Sequence, residues 1–158
     1  MMLPFFQWMQ DLEISGVMRN SPWIGPGVNI LHLLALTVFA GALLMVDLRL
    51  LGTGLTRQPV STLARGAQPW LIGSFIGLTL TGIPQLLSTG TKQYYSDFFW
   101  WKMEVLAVAL IFTFTLRWWV TQADEQRVGP VSRKVVGLVS ITLWTTVTVG
   151  ARLIRLLS

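Results

Sequence analysis

The sequence predicts an all-α protein: a transmembrane four-helix bundle with an N-terminal interfacial helix. Hydrophobic residues make up 53% of the 158 and charged residues only 12%, the composition of a membrane protein rather than of a soluble core. Four apolar stretches run from Val28 to Leu50, Trp70 to Leu87, Phe98 to Val120 and Val135 to Leu157. Each approaches the ~20 residues that cross a ~30 Å hydrocarbon core at ~1.5 Å per residue. None alternates like a membrane-barrel strand, and a helix satisfies its backbone within the segment.

The chain begins with neither a basic segment nor a small-residue cleavage site, so no removable leader is expected over Met1 to Gln10. Phe5, Trp8, Met9 and Leu12 recur at helical spacing among Asp11, Glu13 and Arg19, which predicts an interfacial helix over 4–19. Ser21-Pro22-Trp23-Ile24-Gly25-Pro26-Gly27 breaks it before the first span. Between spans one and two, Gly52 to Ala67 is the longest polar linker. Within it Pro59-Val60-Ser61-Thr62 opens a brief helix leading in through Pro69-Trp70. Pro84 either kinks the second span or ends it. Lys92 to Asp97 and Gln122 to Pro130 make the other connections, with Tyr94 and Tyr95 at headgroup level. None is long enough for a second domain, so 1–158 reads as a single integral membrane domain.

Lys and Arg are retained on the cytoplasmic side of a membrane. Arg49, Arg57, Arg65, Arg117, Arg127, Arg133 and Lys134 flank one end of the spans, against Arg19, Lys92 and Arg155 at the other. This predicts a multi-pass membrane protein with both termini outside, in the periplasm if the host has one. The net charge of +5 is thus a topology signal. No basic face is left for a duplex, so nucleic acid is excluded as a partner.

The candidate site comes from the charges inside the spans. Counting along the helices places His32, Lys102, Glu104 and Arg152 at one depth near the outer surface. An ionisable residue within a span costs roughly 2.5–3.5 kcal/mol on insertion scales, so a layer of them demands compensation. Taken singly, the imidazole reads as a hydrogen-bonded packing residue and the cations as snorkelling side chains. Taken together, one imidazole and two cations in an apolar bundle suit heme b: His32 ligates the iron and Lys102 and Arg152 hold the propionates. Trp144, two turns before Arg152 on about the same face, either stacks on the cofactor ring or packs in the core. The absence of Cys excludes covalent c-type attachment, thiolate ligation and cysteine-bound clusters. One His is too few for a dedicated copper or zinc centre.

Other polar groups read structurally. Asp47, where span one leaves the bilayer, is expected to pair with Arg117 or Arg65. Gly73, Gly77 and Gly82 permit close helix approach, either within the bundle or to a second copy. Trp70, Trp100, Trp101, Trp118 and Trp119 are placed as an interfacial belt.

The run Leu31-His32-Leu33-Leu34-Ala35-Leu36 leads to Gly41-Ala42-Leu43-Leu44-Met45-Val46-Asp47-Leu48-Arg49-Leu50-Leu51-Gly52. It resembles the first helix of an uncharacterised bacterial family of four-helix integral membrane proteins. Pro59-Val60-Ser61, Leu63-Ala64-Arg65, Pro69-Trp70, the Lys102 position, Trp144 and Gly150-Ala151-Arg152-Leu153-Ile154 extend the resemblance over nearly the whole chain. More distantly, the sequence is similar to copper-resistance-D-like membrane proteins and to the heme-containing membrane protoporphyrinogen oxidase, which pair a first-helix His with a later Lys. The resemblance implies a heme-binding fold with His32 and Lys102 at the matching positions, and no established substrate. Two departures stand out. The chain has one His where a low-spin cytochrome b uses two per heme, so the iron is five-coordinate or takes Met103, another side chain or a second subunit. Gly150-Ala151-Arg152 also carries one residue more than the family's Gly-Arg pairing.

The function expected from the sequence is therefore a membrane heme b protein in electron transfer or redox chemistry, a membrane oxidoreductase or electron-transfer subunit. The rival is a non-enzymatic membrane subunit or small transporter whose buried charges stabilise assembly; there Arg152 pairs with Glu104. The expected partners are the lipid bilayer and either a second copy or a redox subunit. A nucleophilic hydrolase is disfavoured, since no Ser–acid pair accompanies the single His.

Overall fold

The computed structural model describes residues 1–54, 57–123 and 126–157, without the side chains of 154, 155 and 157. Arg155, counted above for orientation, has its side chain outside the described set; residues 55, 56, 124 and 125, in two of the three polar connections, also lie outside it. Six helices and no strand are found among the described residues.

The N-terminal helix is two helices rather than one. α1 (Leu3–Asp11) stops at Leu12, whose extended backbone (φ −65°, ψ 141°) turns the chain into α2 (Glu13–Asn20). The Arg19 guanidinium ties the pair together by donating to the Gln10 carbonyl at 3.1 Å. The break at Ser21 is shorter than the sequence suggests. α3 (Ile24–Leu51) already contains Gly25-Pro26-Gly27, because a proline in the first turn gives up an N–H that has no intrahelical acceptor anyway. The Ser21 hydroxyl accepts from the Ile24 N–H at 3.3 Å, satisfying one of those orphan donors. At the other end Gly52 (φ +78°) takes the left-handed conformation that closes α3, with its N–H on the Arg49 carbonyl.

The second span is longer than the apolar run. α4 (Val60–Tyr94) is one helix of 35 residues, continuous through Pro69 and Pro84, so the brief helix at Pro59–Thr62 is its first turn. Prolines are tolerated within membrane spans, where neighbouring helices support the turn that lacks an N–H. α5 (Asp97–Gln122) contains a π-turn over Thr113–Arg117, which no sequence pattern announced. α6 (Pro130–Leu157) completes the bundle.

α3 packs along α4 and α6, and α5 along α6 and the first half of α4, so α3 and α5 face each other across the diagonal. Phe39, Leu43, Val46 and Leu50 of α3 form the core with Leu71, Val120 and Val136. α3, α4, α5 and α6 are each long and apolar enough to cross a bilayer. Their outer faces carry exposed Leu34, Leu80, Ile111 and Leu138, which suits a lipid environment and a multi-pass membrane protein. Exposed Trp101 and Trp119 lie about 27 Å apart along α5, close to the ~30 Å hydrocarbon thickness.

α1 and α2 dock against the last turns of α4 at the end of the bundle that carries both termini. Phe6 packs among Tyr94, Phe99 and Trp100, with centroids 5.3–6.4 Å away. It approaches closely because Gly90 has no Cβ, which would lie 3.3 Å from the Phe6 ring. Ser15, fully buried, donates to the Leu87 carbonyl at 3.1 Å, and Thr91 donates to Gln10.

Candidate functional site

The bundle carries two polar layers. The first is built at the α3–α4 seam, where Gly77 lets Ala35 approach to within van der Waals contact and Gly82 does the same for the His32 ring. His32 is half-buried. Its Nδ1 lies 2.8 Å from the Thr81 hydroxyl, which donates its own proton to the Gly77 carbonyl at 2.7 Å. With the Thr81 proton on the Gly77 carbonyl, the matching tautomer has Nδ1 donating to Thr81 and the imidazole lone pair on Nε2. Fixing one ring nitrogen through a hydrogen bond is how proteins orient a ligating imidazole. A Cβ at Gly82 would sit 3.4 Å from His32 Cε1, so the small residue makes room for the ring.

Gln85 lies one turn beyond Thr81 on the same face of α4, and its Nε2 is buried without a hydrogen-bond partner. An orphaned buried donor is rare enough in proteins to need an explanation.

Lys102 is half-buried on α5 beside the Trp101 belt. Its height follows from the second layer. His32 precedes Asp47 by as many residues as Lys102 precedes Arg117, Asp47 and Arg117 touch, and α3 and α5 run in the same direction. His32 and Lys102 therefore lie at nearly one level, about 22 Å of helix from that contact and offset by the π-turn. Arg152, on α6, is exposed, and so is Glu104. They form no ion pair with each other, so the pairing expected of a cofactor-free bundle is not made. Gly150 faces Trp101, where a Cβ would come within 2.8 Å of the indole. That contact brings the neighbouring Lys102 and Arg152 to the same end of the α5–α6 seam.

The second layer is the Asp47 ion pair. Arg117 Nε donates to Asp47 Oδ1 at 2.9 Å and Nη2 to the Leu43 carbonyl at 3.2 Å, while the Ser140 hydroxyl donates to Asp47 Oδ2 at 2.7 Å. All three side chains are buried. The expected choice between Arg117 and Arg65 is thus resolved: Arg65 reaches Gln122 at 3.5 Å instead. The π-turn ends on Arg117, and one extra residue in the turn re-aims its side chain across the diagonal. Trp144 belongs to this side of the molecule. Its indole N–H donates to Thr113 Oγ1 at 3.0 Å, and its ring stands edge-on to Phe39 with centroids 4.7 Å apart. A cleft of about 240 Å³ lies between α3 and α6, lined by Leu43, Asp47, Trp144, Thr145 and Thr148.

Of the residues named from sequence, His32 and Lys102 share a level, Arg152 sits at the same end on the surface, and Trp144 is held by Phe39 and Thr113 away from them. Gly73 has no neighbour that a Cβ would meet, unlike Gly77 and Gly82. Sequence reasoning missed Thr81 and Gln85. Their spacing of four within an apolar run was the available signal. Among the described residues no three His, Cys or acidic side chains converge on a metal-sized point. The hydrogen-bonded imidazole, the partnerless amide donor and the cations at the same end are side chains of the kinds that would hold a porphyrin and its carboxylates rather than a bare metal ion.

The chain matches, over residues 15–157, the family described as a family of unknown function (DUF6644), and it belongs to that family. Neither a curated protein nor a solved structure matches it.

Proposed function

We propose that this member of the DUF6644 family is a membrane heme b protein working in electron transfer or redox chemistry, with its cofactor in the His32 layer. The observation that supports the reading is the Thr81–His32 hydrogen bond, which suits the tautomer whose lone pair is on Nε2, as in a ligating imidazole. When bound, the heme would supply a one-electron couple. His32 would hold the iron, Thr81 would fix the tautomer, and Lys102 and Arg152 would neutralise the propionates. A first-helix His with a later Lys, the pairing that resembles copper-resistance-D-like proteins and the heme-containing protoporphyrinogen oxidase, is in line with this. So is an orientation in a bacterial inner membrane with both termini outside. Arg117 is now committed to Asp47, but Arg49, Arg57, Arg65, Arg127, Arg133 and Lys134 remain at the opposite end.

A visible spectrum of protein purified from heme-replete cells tests the reading, with a Soret band expected in the wild type and lost in His32→Ala. A wild type without that band overturns it. One observation favours the rival reading of a non-enzymatic subunit. The Asp47–Arg117–Ser140 network satisfies its charges internally, as a purely structural device would.

A further inference from the structure

We propose that Gln85 is a ligand-binding residue: its carboxamide N–H holds a carboxylate of the group that His32 ligates. The inference rests on the heme reading above and adds a contact that the sequence did not suggest. Gln85 Nε2 is buried and makes no hydrogen bond in the protein alone. A buried donor without an acceptor bears a desolvation cost that folding does not offset, so a ligand acceptor is its natural complement.

Position supplies the rest of the argument. Gln85 lies four residues beyond Thr81, on the same α4 face and about 6 Å nearer the terminus-bearing end. A porphyrin held by His32 with its carboxylates toward the membrane surface would bring them to about that height. The site is roofed there, because Ser15 of α2 bonds the Leu87 carbonyl and Phe6 of α1 seats against Gly90. The roof keeps water from Gln85, which strengthens a contact between its N–H and an anion. Lys102 on α5 and Arg152 on α6 stand at the same end of the bundle, so their charges would favour an anionic ligand there.

The experiment uses full-length protein in detergent, prepared heme-free and titrated with two probes, heme b and iron octaethylporphyrin, which has no carboxylates. Gln85→Leu is expected to bind heme b about tenfold more weakly, the loss of one charge-assisted hydrogen bond, and to bind the octaethyl probe as the wild type does. Gln85→Glu should lose more, since it opposes one carboxylate with another. The heme-free Gln85→Leu protein should melt no lower than the wild type, because the substitution removes an unsatisfied donor. Equal weakening toward both probes, or a lowered melting point, would make Gln85 a structural residue and overturn the proposal. Unchanged heme b affinity alongside heme loss in His32→Ala would overturn it and leave the ligation reading standing. A wild type that takes up neither probe would end both.

Discussion

Arg117 and Asp47, on helices that face each other diagonally, meet at 2.9 Å in the interior of the bundle, and the π-turn of α5 ends on the arginine. Ser140 adds a third helix to the contact at 2.7 Å. One carboxylate thus ties α3, α5 and α6 together. Removing either charge strands the other away from water, and that penalty exceeds the worth of the pair itself.

Asp47→Ala is therefore expected to lower stability by about 3–5 kcal/mol, measured by denaturant titration in mild detergent. The double variant Asp47→Leu, Arg117→Met should recover most of that loss. A double variant as unstable as the sum of its parts would show that the charges contribute more than they cost.

Thr81→Val removes the acceptor for His32 Nδ1 while keeping the shape of the side chain. On the heme reading, affinity should fall by about ten- to a hundredfold with the Soret band retained at saturation. Wild-type affinity in the titration would show that the hydroxyl does not orient the ring.

Lys102→Met and Arg152→Met should each reduce heme retained through purification while leaving the fold intact, as followed by pyridine hemochrome assay and thermal melts. Retention equal to wild type in both would return these side chains to snorkelling at the interface.

Gly150→Ala places a methyl group where the Trp101 ring now lies, 2.8 Å from the nearest carbon. The clash should cost about 1–3 kcal/mol. A smaller substitution partner at Trp101, such as Leu, should restore the melting point; no recovery would place the strain elsewhere.

Orientation is tested by single cysteines at the exposed Thr62 and Tyr95, at the two ends of α4. They should react with a membrane-impermeant reagent from opposite sides, Tyr95 from outside. The reverse pattern would move the His32 layer to the cytoplasmic surface.

The four spans were readable because membrane helices are written in composition and length, and those are one-dimensional properties. The Asp47–Arg117 pair was half-readable: two charges in apolar helices must find partners, and only geometry could choose Arg117 over Arg65. The continuity of α4 through Pro69 was hidden because a proline reads as a stop unless neighbouring helices are known to support the turn. Leu12 carries no turn residue, so nothing in the pattern separated α1 from α2. The π-turn is a backbone pattern with no residue signature, and the spacing of Thr81 and Gln85 could mark a shared face but not that the Gln85 amide is buried without a partner. Of the candidate site, sequence reached His32 and Lys102 and overlooked Thr81, the hydroxyl that lies 2.8 Å from the imidazole.

The length of α4 has a consequence for where this protein can live. Thirty-five residues rise about 52 Å, and tilting a helix by the usual ~20° shortens its reach by only a few ångströms against a ~30 Å hydrocarbon core. The helix therefore emerges well past both water boundaries as one unbroken hydrogen-bonded rod. A bilayer several ångströms thicker or thinner would simply wet or bury another turn of it, with no backbone group newly exposed. Mismatch, which is set by the apolar stretch and not by helix length, then falls on the polar side chains of those outer turns, Arg65 and Lys92 among them, while the backbone ladder stays satisfied.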